Sequence, residues 1–231
     1  FIRNQIKIGN KILKNNDVGI FSNLILLINE YLNINSEINI GFANEKALPY
    51  WERNNWQGIS EFPLINKTLN QNYEFVCRYN EIKNFNDTHE KILKKNISNN
   101  IDIMWTKEFS NWRYFLNPRS KYKVFEIKYR SNIEGYVVLK EYVQEHQKIG
   151  HICQIVCKDD LIEDGIKFSM NYFFNKSIKC LSMWQMSNDK LYINKIGFEK
   201  KFLKKNKFIY IGKKNFYKSD WRISMGYSDI Y

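Results

Sequence analysis

Proline and glycine are scarce, 3 and 10 among 231 residues, which excludes collagen-like and low-complexity chains. Cysteine is limited to Cys77, Cys153, Cys157 and Cys180, set in apolar surroundings. There is no Cys-x-x-Cys pair and no histidine at ligand spacing, so no metal is expected and reduced thiols in a cytoplasm are. Long hydrophobic runs are lacking too. The best stretch, from Gly19 to Ile28, is interrupted by Ser22 and Asn23 and falls well short of the roughly 20 apolar residues that span a bilayer. A soluble, cytoplasmic protein without a membrane span is the expectation, with its oligomeric state open. Acidic residues number 24 against 36 basic ones, a net charge of +12 that invites a nucleic-acid reading. Arginine, however, contributes only 7 of those cations beside 29 lysines. The residue best suited to bidentate phosphate and base contacts is thus missing, and nucleic acid is not the expected partner.

What is present is hydrophobic: 44% of the residues, including 15 Tyr, 16 Phe and 6 Trp, enough for a sizeable core. Lys, Asn, Ile, Tyr and Phe rise together, the composition that an AT-rich genome produces through its codons. The periodicity predicts a strand over 6–13, a polar loop to Val18 and an amphipathic helix from Gly19 to about Asn33. A strand at 38–42, a helix over 45–54 and a strand through Ile59, Phe62 and Leu64 follow. The chain opens on Phe1 rather than Met, and the first strand is expected to lack partners within the sequence.

After a polar stretch at 66–72 the succession begins again. It predicts a strand over 73–79, a helix over 89–96 capped by Asp87, and a helix over 105–116 stopped by Pro118. Strands are then expected at 122–129, 133–143 and 151–157, a helix at 162–174, a strand at 178–184 and a helix at 188–195. Strands at 208–211 and 221–225 close the series. A mixed sheet flanked by helices is the expected α/β (α+β) outcome.

The order from Tyr73 to Met225 resembles that of the GNAT (acyl-CoA N-acyltransferase) superfamily. The first segment resembles the rear half of another copy, so the whole resembles a tandem-GNAT arrangement. The expected domains are 1–70, the C-terminal half of a first GNAT-like domain, and 71–231, a complete second one with a mostly antiparallel sheet. Two local sequences carry the resemblance. Asn44-Glu-Lys-Ala47 through Tyr50, Trp51, Asn55 and Trp56 is similar to the family's Asn-x-x-Ala…Tyr-x-x-x-Gly-Phe helix, with Trp51 on the Tyr position and Asn55 on the Gly. Asn188 to Ile196 followed by Gly197-Phe198 is similar again. Gly ends such a helix with positive φ, and Asn is its commonest substitute.

The resemblance implies an acyl-CoA pyrophosphate held on backbone N–H groups at a helix start. The corresponding stretch here is Lys14-Asn-Asn-Asp17-Val-Gly19-Ile-Phe21, so Lys14, Val18, Gly19, Ile20, Phe21 and Asn44 are the implied cofactor contacts. Asp17 stands where Gly is expected and reads either as an acidic obstacle to phosphate or as a helix cap. The second copy's loop, Lys158-Asp159-Asp160 to Gly165, carries four acidic residues and is expected to reject CoA.

A family acid would be Tyr four residues before the Gly. Trp51 and Ile193 occupy those places, which leaves Tyr50 and Tyr192 as candidates that read equally as packing residues. His151 reads as a base near neutral pH or as a satisfied histidine; Glu45, Glu126 and Glu134 are alternative bases. Trp112, Arg113 and Tyr114 could clamp a sugar or carboxylate, or simply anchor a helix. The family implies an N-acetyltransferase moving an acyl group from acetyl-CoA, or another acyl-CoA, to a small amine, such as an amino sugar of a bacterial surface-polysaccharide precursor. The alternative is a catalytically degenerate GNAT-fold binding or scaffold module.

Overall fold

A computed structural model describes residues 5–8, 11–14, 19–35, 38–60, 63–95, 105–118, 121–144, 146–184, 195–202, 206–212 and 223–227. The chain separates into two compact units. One comprises 1–62 and 202–218; the other comprises 63–201 and 219–231. The expected division at residue 70 and this grouping differ at two places: residues 63–70 fall in the second unit, and 202–218 in the first.

In the first unit, β1 (Gln5–Ile8) and β2 (Lys11–Lys14) form an antiparallel two-stranded sheet. The single strand expected over 6–13 is therefore two, and the first finds its partner in the second. Helix α1 (Gly19–Asn35) buries Ser22, Ile25 and Asn29, spaced by three and four along one face. It is followed by β3 (Ile38–Asn44), α2 (Leu48–Arg53) and β4 (Gln57–Ser60). The small core is Ile25, Ala43, Trp56 and Ile209, flanked by Leu48, Trp51 and Ile211.

Helix α2 ends as its sequence suggests. Asn55 takes φ of 67°. The Trp56 N–H donates to the Trp51 carbonyl at 3.1 Å and the Asn55 N–H to the Glu52 carbonyl at 3.2 Å, the two bonds of a Schellman ending. The Trp51 and Trp56 rings meet edge to face at 4.6 Å and seal it. The Trp56 indole N–H donates to Asn29 Oδ1 at 2.8 Å, and Asn29 Nδ2 to the Asn54 carbonyl at 3.1 Å, so α1 and this turn share one buried polar network.

In the second unit, β5 (Pro63–Thr68), β6 (Arg78–Glu81), β7 (Tyr122–Tyr129), β8 (Asn132–Gln144), β9 (Gln147–Val156), β10 (Cys180–Trp184) and β11 (Glu199–Phe202) form a sheet in the order β11-β5-β10-β9-β8-β7-β6. β9 and β10 run parallel, whereas β5–β10, β6–β7, β7–β8 and β8–β9 are antiparallel. Helix α5 (Asp159–Phe174) covers one face, burying Leu161, Ile162, Gly165, Ile166, Ser169, Met170 and Phe173. Each fully buried large side chain contributes about 1.5–3 kcal/mol. Across from it lie α3 (Asp87–Lys95), α4 (Lys107–Asn111) and a π-turn over Trp112–Leu116 that continues α4.

Several expectations need correction. Of the strand expected over 73–79 only Arg78 and Tyr79 belong to a strand, β6; residues 73–77 form no ladder, and α5 side chains take backbone groups there. Asn171 exchanges two 2.7 Å bonds with the backbone of Tyr73, and Asp164 accepts from the Val76 and Cys77 N–H groups at 2.6 and 3.1 Å. The cap of α3 is Asn86, whose Oδ1 accepts from the Thr88 N–H at 3.0 Å, while Asp87 is already helical and ion-paired to Lys107. β12 (Asn206–Gly212), expected to close the second sheet, instead lies between β3 and β4 in the first unit, antiparallel to both. Of the strand expected at 221–225, residues 221 and 222 lie outside the described residues, Ile223 and Ser224 are in no strand, and Met225 opens a 3₁₀ turn over Met225–Tyr227. The helix expected over 188–195 lies outside the described residues, apart from its last position.

Candidate functional site

The parallel pair β9–β10 is the feature around which a site can form. Its register is short, with Gly150 opposite Leu181 and His151 opposite Ser182. β10 then continues along β5 as far as Trp184, while β9 runs on beside β8. The two strands thus part after their second rung. Where they part, β9 bulges: Ile152 faces Leu139 and Gln154 faces Val138, which leaves Cys153 as the extra residue.

Alternation places Tyr122, Tyr136, Lys140, His151 and Gln154 on the sheet face opposite α5. There the Tyr114 O–H donates to Gln154 Oε1 at 2.7 Å and the Tyr136 O–H donates to the same oxygen at 3.3 Å. The Tyr114 ring stacks on Trp105, 5.5 Å between centroids and 6° between planes. Arg113, 5% exposed, donates from Nε to the Gly226 carbonyl at 3.1 Å, with its guanidinium 5.8 Å from the Tyr122 ring centre. Burial raises the Tyr114 phenol well above its ordinary range.

His151 is buried, 2.5 Å from Ser182 Oγ through Nδ1 and 5.3 Å from the Tyr142 ring. Burial, followed by the Lys140 ammonium, pushes its imidazole down to about 4, so the ring is neutral at pH 7. That is far below the near-neutral value expected of a base. Lys140 is itself lowered, by burial first and by repulsion from Arg113. Cys153 is pushed up to about 12 by burial, and so resists ionisation although Lys140 and Arg113 favour its thiolate.

The remaining sequence candidates scatter. Trp112 is 55% exposed beside Phe109, whereas its neighbours Arg113 and Tyr114 are buried, so the three do not share one surface. Asn44 is exposed, and its Oδ1 accepts from the Ala47 N–H at 2.9 Å, the role of a turn former. Tyr50 is 43% exposed, with the Arg53 guanidinium 6.0 Å from its ring centre. Lys14 ends β2, and Gly19, Ile20 and Phe21 open α1. Val18 and Tyr192 lie outside the described residues. Glu45 is exposed on the turn before α2. Glu126 is held by Lys128 at 2.7 Å and faces His89 at 3.7 Å; Glu134 pairs with Lys158 at 2.8 Å. None of these carboxylates adjoins the bulge. Sequence reasoning missed Gln154, Ser182, Lys140 and Gly226. Gln154 alone left a signal, as a polar residue inside the apolar run Ile152–Cys157.

The two helix starts differ in charge. α1 has no acidic residue in its first turn, whereas α5 has Asp159 and Asp160. A helix N-terminus attracts anions through its unpaired N–H groups and dipole, and carboxylates in the first turn cancel that attraction. Among the described residues no group of three or more His, Cys, Asp or Glu could hold a metal, and no helix is long and apolar enough to cross a membrane.

Solved structures share this architecture. A GCN5-related N-acetyltransferase from Anabaena variabilis superposes with a TM-score of 0.64 at 8% identity, over 85% of this chain and 51% of its own. A protein of Enterococcus faecalis named as a candidate N-acyltransferase gives 0.56 at 8% identity, over 84% of this chain and 50% of its own. The chain has the GNAT fold. A candidate acetyltransferase of Pyrococcus horikoshii gives 0.53 at 10% identity, over 88% and 63%. The chain thus spans about half to three fifths of these GNAT-fold neighbours' lengths. No family model matches the sequence, and no curated protein matches it.

Proposed function

We propose that this protein is an N-acyltransferase that moves an acyl group from acyl-CoA, acetyl-CoA first among them, to a small amine such as an amino sugar. The observation that carries the reading is the GNAT fold itself, shared with a solved GCN5-related N-acetyltransferase. Catalysis would consist of holding the amine against the thioester while a backbone N–H polarises the carbonyl. The chain would be a tandem of two copies. Its support is a repeated triplet: β12 sits between β3 and β4 as β5 sits between β10 and β11. Asn55 and Gly197, with φ of 67° and 76°, precede the last strand of each triplet in the same way.

Within that tandem, the acyl-CoA belongs to the first unit. The start of α1 lacks the carboxylates that begin α5, and among the described residues no ladder joins β2 to β3. Lys14, Val18, Gly19, Ile20, Phe21 and Asn44 are the contacts this reading assigns. A second reading, a GNAT-fold binding module without acyl transfer, is favoured by Trp51, which fills the acid's position and is packed on Trp56.

Titration of acetyl-CoA into the parent chain and into Asp17→Gly decides between them. Micromolar binding by the parent, about −8 kcal/mol, supports the acyltransferase. Binding by Asp17→Gly alone would mean that the acidic residue has closed an inherited site, and the binding-module reading would lead. Silence from both removes acyl-CoA from the function.

A further inference from the structure

In sequence Arg113 and Tyr114, with Trp112, read either as a ligand clamp or as a helix anchor; in the structure Arg113 and Tyr114 are both engaged by the chain's own residues 223–227. Ile223, Met225 and Gly226 are buried, and Ser224 is 6% exposed. The Gly226 carbonyl takes the Arg113 Nε–H at 3.1 Å, and the Tyr227 ring lies 5.4 Å from Trp105. The fit at Gly226 is tight. A Cβ there would stand 2.3 Å from Tyr114 Oη and 3.4 Å from the carbonyl oxygen of Cys153, the bulged residue of β9. Tyr114 cannot yield easily, since its ring is stacked on Trp105 and its hydroxyl is bonded to Gln154.

We infer that residues 223–227 are a resident plug, seated on the Cys153 bulge by Arg113 and Tyr114, which keeps the parted β9–β10 edge of the second unit closed to ligand. The glycine is required because the plug's backbone must approach the bulge more closely than a side chain permits. Cys153 is 1% exposed beneath it. Combined with the acyl-CoA reading proposed above, on which this step rests, the plug leaves one acyl-CoA site per chain, and that site in the first unit.

The test is alkylation by N-ethylmaleimide, followed cysteine by cysteine by mass spectrometry in the intact chain. In the parent, Cys153 should react as slowly as the buried Cys77 and Cys157. Gly226→Ala should dislodge the plug and speed Cys153 by about tenfold or more, the scale of a local opening, with Cys77 and Cys157 unchanged. Tyr114→Phe added to Gly226→Ala removes the colliding oxygen and should restore protection. Cys153 remaining slow in Gly226→Ala, or reacting in the parent as fast as in urea, overturns the plug. Should Gly226→Ala expose all three thiols, the double variant decides: recovered protection supports the plug and continued exposure overturns it. Acetyl-CoA titrated in parallel should bind at one equivalent per chain, and two equivalents would overturn the closure. Absence of acetyl-CoA binding would remove the acyltransferase reading alone, because the thiol readout needs no ligand.

Discussion

The two units solve the same local problem with different residues. Each brings the chain into a strand through a residue in the left-handed region: Asn55 at φ 67° before β4, Gly197 at φ 76° before β11. Asn55 is followed by Trp56, buried among the described residues with Ile25, Ala43 and Ile209; Gly197 is followed by Phe198, packed at the margin of the second unit's core. The helix starts diverge more. α5 opens on two aspartates, and its Asp164 and Asn171 are occupied in holding residues 73–77. α1 has no acid in its first turn. One unit has committed its helix to internal contacts, while the other carries no acid in the first turn of its helix and a single aspartate, Asp17, two residues before it. A likeness in topology therefore does not oblige the two to share a ligand.

The largest effect that separates them is expected from the smaller core. Trp56→Ala removes a buried indole, its bond to Asn29 and its contact with Trp51, a loss of about 3–5 kcal/mol. Hydrogen exchange should show β3 and β12 losing protection while β7, β8 and β9 keep theirs. Equal loss in both sheets would mean that the units fold as one cooperative body, and the comparison would fail.

Next comes a pH effect confined to the second unit. His151 titrates at about 4 when folded against 6.5 as a model group. Between those values the unfolded chain takes up a proton that the folded chain refuses. Stability is therefore full above pH 6.5, falls as the pH drops towards 4, and loses on the order of 3 kcal/mol in all. Ser182, Tyr142 and Lys140 face the ring, and the charged Lys140 opposes its protonation. His151→Gln should flatten urea-unfolding curves measured between pH 7 and 4. An unchanged slope would place the imidazole in water instead of under the sheet.

Much of this was legible in the sequence, and the failures are instructive. The succession of strands and helices from 122 to 184 follows from periodicity, because there each apolar face is satisfied by its neighbours in sequence. β12 could not be placed that way. Its alternation marks a strand, but nothing in Asn206–Gly212 says that its partners are β3 and β4, more than 140 residues earlier. Residues 73–77 alternate like a strand, yet hydrogen bonds from Tyr73 and Val76 go to α5 side chains and no ladder forms, a choice made by tertiary contacts. At the site, Arg113 and Tyr114 were recognised as unusual, but sequence could not show that a distant glycine would meet them. His151 was selected for an intrinsic affinity for protons that burial then removed.

Where sequence reasoning succeeded best, it supplies the finest test of the comparison. Asn55 was expected in a left-handed position because it stands on the Gly of the GNAT helix pattern that this stretch resembles, and its φ of 67° agrees. An L residue pays a steric cost there that Gly avoids, and Asn pays less of it than Ala does. Gly197→Ala should thus cost about 1–2 kcal/mol. Its Cβ would come within 3.3 Å only of Lys67 Nζ, the tip of a flexible side chain, so the cost is conformational and not one of space. Asn55→Gly is the converse experiment and should gain a few tenths of a kcal/mol, no more than about 0.5, the remaining strain of Asn offset by the greater freedom of Gly in the unfolded chain. Thermal unfolding of both variants against the parent measures the difference. If Asn55→Gly destabilises by more than Gly197→Ala, the Asn55 side chain carries a contact of its own, and the two helix ends are not equivalent solutions.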